Sequence, residues 1–254
     1  MTRNLPRDPG LEATTLSGPR GPYVGSAPPG RGPRRWAADP RLDRLLRELR
    51  HGFGPQHWWP ARTPFEVVVG AVLTQNTAWS NVELALANLR ARRVLSPARL
   101  LDMDGEGLAR AVRPSGYFNA KARKLRSVSR WYLDLGGLAA LRERPLPGLR
   151  AELLDVWGVG PETADSILCY AAGRRTAVVD TYTRRILSRH GLVAPDAPYE
   201  EVRAWLQQRL APSQYVFEEF HALFVRAGYG NCKPSAVCES CPATTPRGPV
   251  ASPG

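Results

Sequence analysis

One stretch of the chain, residues 153–187, places glycines and an aspartate where they could act on a nucleic acid. Gly158 and Gly160 predict a tight turn, because glycine adopts backbone angles that other residues avoid. Amides exposed in that turn, beside a helix starting at Pro161, are suited to bind a phosphate oxygen. Asp180 precedes the next predicted helix and would cap its N-terminus. The pattern indicates a phosphate-binding turn and a fixed carboxylate, although an ordinary helical hairpin with a capping aspartate has the same local sequence.

Helical periodicity dominates the chain around this stretch. Asp39 and Pro40 open one helix, in which leucines recur at helical spacing. Capping boxes at residues 63–66 and 80–83 predict two more helix starts. No alternating strand pattern is present, so the predicted fold is all-α. Further helices are predicted over residues 119–135, 199–210 and 213–227.

The two ends of the chain differ in composition from the helical part. Residues 1–36 hold seven prolines, six glycines and six arginines and show no apolar period. This composition is typical of a disordered basic arm. Residues 243–254 are similarly poor in core-forming side chains and predict a disordered tail. The folded domain is therefore expected to span residues 37–242.

Net charge and hydrophobic content narrow the classes of function. The chain has 35 lysines and arginines against 23 acidic residues, a net charge of +12 and a pI near 10.2. This favours a polyanionic partner, although an arginine-rich genome would leave the same signature. A hydrophobic content of 43% suffices for one domain or two closely packed lobes. Neither a membrane span nor the apolar part of a secretory signal is found, so a cytoplasmic protein without a membrane partner is expected.

Two motifs in this chain resemble those of a known family. The hairpin at 156–160 and the VVDT segment at Asp180 resemble the helix-hairpin-helix–Gly/Pro–Asp motif of the endonuclease III superfamily of DNA glycosylases. The resemblance covers about residues 40–242. It implies two helical lobes with a cleft between them, and a monomer that acts on damaged double-stranded DNA in a bacterial nucleoid. The hairpin residues that it assigns to DNA binding are Gly158, Val159 and Gly160.

The same resemblance assigns catalysis to Asp180. Cleavage of an N-glycosidic bond develops positive charge on the sugar, which a carboxylate stabilises, and the carboxylate can also orient the attacking water. Members that also cut the strand carry a lysine in the pattern GVG-x-K-T-A, where this chain has Glu162. A glutamate cannot form the Schiff base that strand cleavage requires. The resemblance therefore implies hydrolytic base removal without strong AP lyase activity.

Two lysines elsewhere, Lys121 and Lys124, could in principle replace the missing amine. Their segment, GYFNAKARKL, resembles a structural and DNA-facing segment of the family. We therefore expect Lys121 to contact DNA, and strand cleavage by either lysine stays open as the alternative.

A second group of motifs concerns the base that is removed. The segments WWP at 58–60 and GAVLTQNTAW at 70–79 resemble the endonuclease III-like 3-methyladenine DNA glycosylases. In that branch an aromatic pair sandwiches the flipped base, and the matching residues here are Trp58 and Trp79, the latter replacing a usual phenylalanine. Electron-rich indoles suit a cationic alkylated purine, whereas Trp59 is expected in the core. The wedge that fills the vacated space is assigned to Gln75, with Asn76 as second choice.

Three cysteines, Cys232, Cys238 and Cys241, lie within ten residues near the C-terminus. Their spacing resembles the family's iron–sulfur loop, C-x6-C-x2-C-x5-C, with the first interval one residue shorter and Arg247 at the fourth position. The resemblance implies a [4Fe–4S] cluster with an unidentified fourth ligand. A zinc site and a loop without metal remain the alternatives, while the isolated Cys169 and His221 are expected to be structural.

Three functions follow from these patterns and stay open. The first is a monofunctional glycosylase for alkylated purines. The second is an endonuclease III-type enzyme that acts on oxidised pyrimidines. The third is a DNA lesion-binding protein that has lost its chemistry, although the presence of Asp180, Gln75 and the tryptophans argues against this loss.

Overall fold

The computed structural model describes residues 33–243, and this part of the chain is helical without any strand. Within this range, one isolated antiparallel bridge joins Ala37 to Leu210. The all-α prediction is confirmed, while most of the predicted arm and tail lie outside the described residues. The α-helices are α1 (Pro40–Phe53), α2 (Pro64–Leu73), α3 (Trp79–Ala91), α4 (Pro97–Asp102), α5 (Gly105–Ala111), α6 (Phe118–Asp134), α7 (Gly137–Glu143), α8 (Leu146–Asp155), α9 (Pro161–Ser166), α10 (Thr181–Arg189), α11 (Tyr199–Arg209) and α12 (Gln214–Gly230).

Two helix starts follow the predicted capping chemistry. The Asp39 carboxylate accepts hydrogen bonds from the first amides of α1, ahead of Pro40. At α2, the Thr63 hydroxyl accepts from the Glu66 amide at 3.2 Å. The Glu66 carboxylate does not reach the Thr63 amide that would complete the capping box; it is buried, bonded to Arg90 of α3, and accepts from the Arg62 amide at 3.3 Å. One side chain thus joins two helices and also accepts from the backbone just before its own helix.

The capping box predicted at residues 80–83 is wrong. Helix α3 starts at Trp79 with Ala78 as its N-cap, and no side chain accepts from its first amides. Ser80 therefore lies inside the helix. The Trp79 ring packs against two other indoles, so tertiary contacts of this ring, which no local motif reports, hold the helix start two residues earlier.

The helices form two groups that meet at one buried segment. Helices α2 to α9 pack mainly on one another, while α1 and α10 pack on α12. The five residues Ile167–Ala171 continue α9 as a π-helix, are fully buried, and contact both α2 and α12. This arrangement agrees with the expected two-lobed fold. No helix in the described range is both long and apolar enough to cross a membrane.

The packed structure includes Trp36, which lies before the predicted domain boundary at residue 37. Trp36 is only 4% exposed and its ring lies 5.9 Å from that of Tyr215 in α12. The amides of Trp36 and Ala37 both donate to the buried Asp43 carboxylate. These contacts with distant helices hold the segment in place although its composition resembles that of the arm.

Close packing of α10 on α12 sets the position of Asp180. The buried, non-helical run 177–179 leads into Asp180, the N-cap of α10. On α12, a Cβ atom at Gly228 would clash with the side chain of Tyr182 of α10. Glycine therefore lets the two helices approach closely, and Asp180 comes to lie against α12.

Candidate active site

The Asp180 carboxylate is buried, hydrogen-bonded at one oxygen and close to an imidazole at the other. Its Oδ1 accepts from the Thr183 amide at 2.6 Å, which confirms the predicted N-cap. Its Oδ2 lies 3.6 Å from Nε2 of His221. Burial by itself would raise the pKa of Asp180, but the His221 contact and the Thr183 amide outweigh burial and lower this pKa below its usual value. The carboxylate is therefore ionised at neutral pH.

His221, which was predicted to be structural, is buried beside Asp180. Its Nδ1 lies 2.7 Å from the hydroxyl of Tyr170, which is 1% exposed. The available signal was a histidine within the apolar segment FEEFHALFV of α12. Nothing local indicated that its partner would be Asp180, which lies 41 residues earlier in the chain.

Glu162 lies in the first turn of α9, close enough to Asp180 and His221 for their charges to interact. Although Glu162 is exposed at the surface, the protein around its carboxyl removes part of its hydration and, together with the charge of Asp180, raises its pKa to about 7, while His221 acts in the opposite direction. Two carboxyl groups with opposite pKa shifts thus lie at one place. An arrangement of this kind is typical of catalytic sites.

Three tryptophans form one aromatic cluster next to this junction. Trp59 is 3% exposed, as the core prediction requires, and its ring lies 5.3 Å from that of Tyr170. The rings of Trp58 and Trp79 are in mutual contact, with centroids 4.7 Å apart. A base stacked between two indoles needs about 7 Å, since stacked rings are about 3.4 Å apart. The predicted pair is therefore brought together, but a base can enter only if one ring moves aside.

Gln75 connects the turn after α2 with the hairpin. Its Nε2 donates to the Gly158 carbonyl at 3.1 Å and to the Thr163 hydroxyl at 3.0 Å. Its Oε1 accepts from Nζ of Lys124 at 2.5 Å. Asn76 follows with a left-handed backbone, at a φ of 53°. The predicted wedge residue and the predicted DNA-binding hairpin are thus direct neighbours, whereas the wedge role itself stays a prediction.

The hairpin uses its two glycines differently. Gly158 has a φ of +85°, and a Cβ atom there would clash with the Lys124 side chain. Gly160 has an extended backbone, with φ −96° and ψ 177°, so the prediction of an unusual backbone is correct only for Gly158. Val159 is buried, and its amide donates to the Val156 carbonyl at 3.0 Å. Val159 therefore shapes the turn and does not offer a donor for phosphate.

We expect Gly158→Ala to weaken binding to duplex DNA about tenfold. The left-handed backbone costs an L-residue about 1–2 kcal/mol, and the added methyl group displaces Lys124. Affinity for a duplex with an abasic-site analogue measures the effect. Gly148→Ala in α8 is the matched control, because a Cβ atom there meets nothing within 4 Å. Equal affinity of both variants would show that the hairpin geometry is irrelevant to binding.

The assignment of Lys121 to DNA contact is wrong. Lys121 is 1% exposed, and its amine donates to the carbonyl groups of Leu73 at 2.8 Å and Ser115 at 2.5 Å. It lies one helical turn before Lys124, so α6 directs one lysine inward and the other towards the hairpin. The buried amine holds the last residue of α2, next to the Gln75 turn.

Burial, followed by the nearby charge of Lys124, lowers the pKa of Lys121 to about 8 from 10.5. Between these pH values the unfolded chain keeps a proton that the folded protein has lost. Stability relative to a Lys121→Met variant should therefore rise as the pH increases through this interval, by at most about 3 kcal/mol. Urea unfolding of both proteins at several pH values measures the difference. A stability difference that does not change with pH would contradict the lowered pKa.

The three cysteines follow α12, yet the described residues do not bring them into a group that could hold a metal ion. The Cys232 thiol accepts instead from Nη1 of Arg189 at 3.2 Å. Arg247, at the position of the family's fourth cysteine, lies outside the described residues. Within the described residues the loop supplies three thiols towards a [4Fe–4S] cluster, which takes four ligands, and no catalytic step is assigned to one.

Comparisons with known proteins agree with this site. Residues 69–212 match the family described as HhH-GPD superfamily base excision DNA repair protein. Over 202 residues the chain is 42% identical to a protein of Methanocaldococcus jannaschii provisionally named a DNA repair glycosylase, which covers 78% of this chain and 92% of the relative.

Two solved structures have the same fold. One is the H. pylori 3-methyladenine DNA glycosylase bound to 1,N6-ethenoadenine, at 29% identity and a TM-score of 0.63, covering 74% of this chain and 96% of that one. The other is a trapped endonuclease III–DNA covalent intermediate, at 26% identity and a TM-score of 0.66, covering 78% and 90%. The family match spans more than half of the chain and includes both the hairpin and Asp180. The protein therefore belongs to the HhH-GPD superfamily and is a DNA glycosylase of base excision repair.

Proposed function

We propose that the protein hydrolytically removes alkylated purines such as 3-methyladenine from double-stranded DNA, without cutting the strand. The absence of strand cleavage is inferred from Glu162, which occupies the position where strand-cutting members have lysine. Its carboxyl lies close enough to Asp180 for the two charges to interact. The position thus belongs to the reaction site, and it holds no amine that could form a Schiff base.

The two nearby lysines do not supply the missing amine. Lys121 is buried and bonded to two carbonyl groups, and Lys124 is bonded to Gln75. Neither amine is among the groups in contact with Asp180. Hydrolysis supported by Asp180 is therefore the reaction that these side chains favour.

The aromatic cluster supports a cationic base as the substrate. An alkylated purine such as 3-methyladenine is positively charged and leaves without protonation by a general acid. An indole stacked on it contributes about 2 kcal/mol in a site without water. The similarity to the H. pylori 3-methyladenine DNA glycosylase supports the same class. Since Trp58 and Trp79 contact each other here, binding of the flipped base would separate them.

Asp180 would act on the sugar of the flipped nucleotide. Positive charge develops there as the glycosidic bond breaks, and an ionised carboxylate in a dry site stabilises it strongly. Because Oδ1 is hydrogen-bonded to the Thr183 amide and Oδ2 faces His221, the carboxylate would not have to reorient during the reaction. This mechanism requires Asp180 to stay ionised, in agreement with its lowered pKa.

A panel of duplexes that each carry one modified base tests the proposal. The panel contains 3-methyladenine, 7-methylguanine, 1,N6-ethenoadenine and thymine glycol. We expect release of alkylated purines, with strand breaks only after alkali treatment. Activity on thymine glycol alone would favour oxidised pyrimidines, the second candidate, which the similarity to endonuclease III supports. Binding without release of any base would leave the third candidate, a lesion-binding protein.

We expect Glu162→Lys to introduce lyase activity. The new amine would lie where lyase members carry theirs and could form a Schiff base with an abasic sugar. Borohydride reduction should then trap a covalent protein–DNA adduct that the unmodified protein does not form. Glu201→Lys on the exposed start of α11 controls for the added charge. If Glu162→Lys folds and forms no adduct, the assignment of this position is wrong.

For the three-cysteine loop we propose the [4Fe–4S] cluster, on the spacing of the cysteines alone. The arrangement described above does not support it, so the metal content must decide. Iron and sulfide assays of protein purified without oxygen, together with a zinc assay, distinguish a cluster, a zinc site and a metal-free loop. Protein that contains no iron and remains active would remove the cluster from the proposal.

A further inference from the structure

Two buried residues that the proposed reaction does not use form a chain of contacts to Asp180. His221 is 5% exposed and Tyr170 is 1% exposed. Nε2 of His221 lies 3.6 Å from Oδ2 of Asp180, and Nδ1 lies 2.7 Å from the Tyr170 hydroxyl. The chain of contacts thus runs from Tyr170 through the imidazole to the carboxylate.

The π-helical segment Ile167–Ala171 places Tyr170 in this chain of contacts. A π-helical turn changes the direction of the side chains that follow it, and such turns are frequent at functional sites. Here the Tyr170 hydroxyl reaches α12, where it meets the Glu218 carbonyl at 3.0 Å and the imidazole of His221. The opposite side of the ring borders Trp59 of the aromatic cluster.

The number of protons in this network restricts the state of His221. The Tyr170 hydroxyl has one proton, and the Glu218 carbonyl can only accept. If the hydroxyl donates to Nδ1, then Nε2 carries the ring proton and points it at Asp180. If the hydroxyl donates to Glu218, then Nδ1 must carry a proton, and Nε2 needs another one to face the carboxylate. The two arrangements, neutral imidazole and imidazolium, differ by one proton.

The two arrangements affect Asp180 differently. In the neutral arrangement the charge of the imidazole no longer lowers the pKa of Asp180, and the Nε2 proton together with the Thr183 amide keeps the carboxylate ionised. In the imidazolium arrangement, the positive charge beside the carboxylate offsets the charge that must stabilise the sugar cation. Excision should therefore be slower when the imidazole is charged.

We propose that His221 is a positioning residue for Asp180, that Tyr170 holds its neutral ring with the Nε2 proton towards the carboxylate, and that protonation of this ring slows excision. The proposal rests on the proposed function, in which Asp180 carries the chemistry. An analogous division of labour, one residue orienting another through a hydrogen-bonded imidazole, is known from hydrolases in which the wrong tautomer costs most of the activity.

Other ionisable groups near the imidazole must be separated from it in any test. Asp180 approaches from α10, Glu162 from α9, Tyr170 from the π-helical segment, and Glu218 lies one turn earlier on α12. Glu162 is the important competitor, because its raised pKa of about 7 lies within the same pH range. The pH profile is therefore measured in the Glu162→Gln background as well.

The experiment is the single-turnover release of 3-methyladenine from methylated duplex DNA between about pH 5 and about pH 8. For His221→Leu we expect the rate at neutral pH to fall about 10- to 100-fold, as expected when a reacting group is misplaced. For His221→Gln, whose amide can still donate to Asp180, we expect a loss of at most about threefold and no acidic fall in rate. Tyr170→Phe should lie between the two.

Three controls keep the result interpretable. Tyr132→Phe alters another buried tyrosine, outside this network, and should leave the pH profile unchanged. Affinity for a duplex with an abasic-site analogue should be the same in all variants, and thermal unfolding identifies any variant that fails to fold.

Two outcomes would overturn the inference. One is a folded His221→Leu variant that excises at the unmodified rate, and the other is a His221→Gln variant that keeps the acidic fall in the Glu162→Gln background. Either outcome, combined with loss of excision in Asp180→Asn, rejects only the role of His221. Excision retained by Asp180→Asn would reject the proposed function itself.

Discussion

Asp180→Asn should reduce excision of the damaged base about 10²- to 10³-fold, as expected when a preorganised group that stabilises transition-state charge is lost. The asparagine oxygen can still accept from the Thr183 amide, so the N-cap of α10 and the fold should persist. Only the negative charge next to the sugar is removed. Affinity for a duplex that carries an abasic-site analogue should therefore be nearly unchanged.

The matched control for this substitution is Asp104→Asn. Asp104 caps α5 in the same way, with its Oδ1 accepting from the Gly107 amide at 2.6 Å. The same chemical change at a helix start away from the junction should leave excision unaffected. Single-turnover release of 3-methyladenine measures both variants. Excision by Asp180→Asn at the unmodified rate would show that another group carries the chemistry.

Asp165→Ala should have the largest effect on stability. The Asp165 carboxylate is fully buried and accepts two hydrogen bonds from Arg150, both at 2.9 Å, and one from Arg203 at 3.2 Å. The hydroxyl groups of Thr176 and Tyr199 also donate to it, each at 2.9 Å. This single carboxylate thus joins α8, α9 and α11.

Removal of this carboxylate would leave two largely buried guanidinium groups without their main partner. Loss of one member of a buried ion pair costs about 3–5 kcal/mol, out of a total stability of about 5–15 kcal/mol for a typical protein. Unfolding in urea measures the loss. Asp165→Asn keeps the shape of the side chain and should be less destabilised, so it is measured in place of Asp165→Ala if that variant is insoluble.

Glu106→Ala is the corresponding control at the surface. Its pair with Arg110 is exposed and spans one helical turn, so its loss should cost no more than about 0.5 kcal/mol. Equal stability of Asp165→Ala and Glu106→Ala would mean that the buried network contributes nothing to the folded state.

Much of the site could be predicted where the cause is local. Asp180 caps α10 because an aspartate before a helix accepts from the amide three residues later. The strained turn at Gly158 was likewise predicted, because its backbone angle is one that glycine alone adopts easily. The replacement of lysine by Glu162 is visible in the sequence itself. Each of these depends on residues within one turn of the chain.

Features that depend on distant partners could not be predicted. Lys121 and Lys124 lie three residues apart in α6, but only packing decides that Lys121 is buried against two carbonyl groups while Lys124 reaches Gln75. The start of α3 at Trp79 depends on indoles contributed by another segment. In both cases the local pattern favoured a different answer, which tertiary contacts overrode.

The sequence by itself determined the helical class, the hairpin and the identity of the carboxylate that follows it, because capping, glycine geometry and helical periodicity act over short distances along the chain. Only the tertiary structure decided what surrounds that carboxylate. His221 meets Asp180 because α12 packs closely on α10 at Gly228, and Tyr170 reaches His221 because a π-helical segment lies between the two groups of helices. Burial and charge at this junction, which set the pKa values of Asp180 and Glu162, exist only once these segments have packed together.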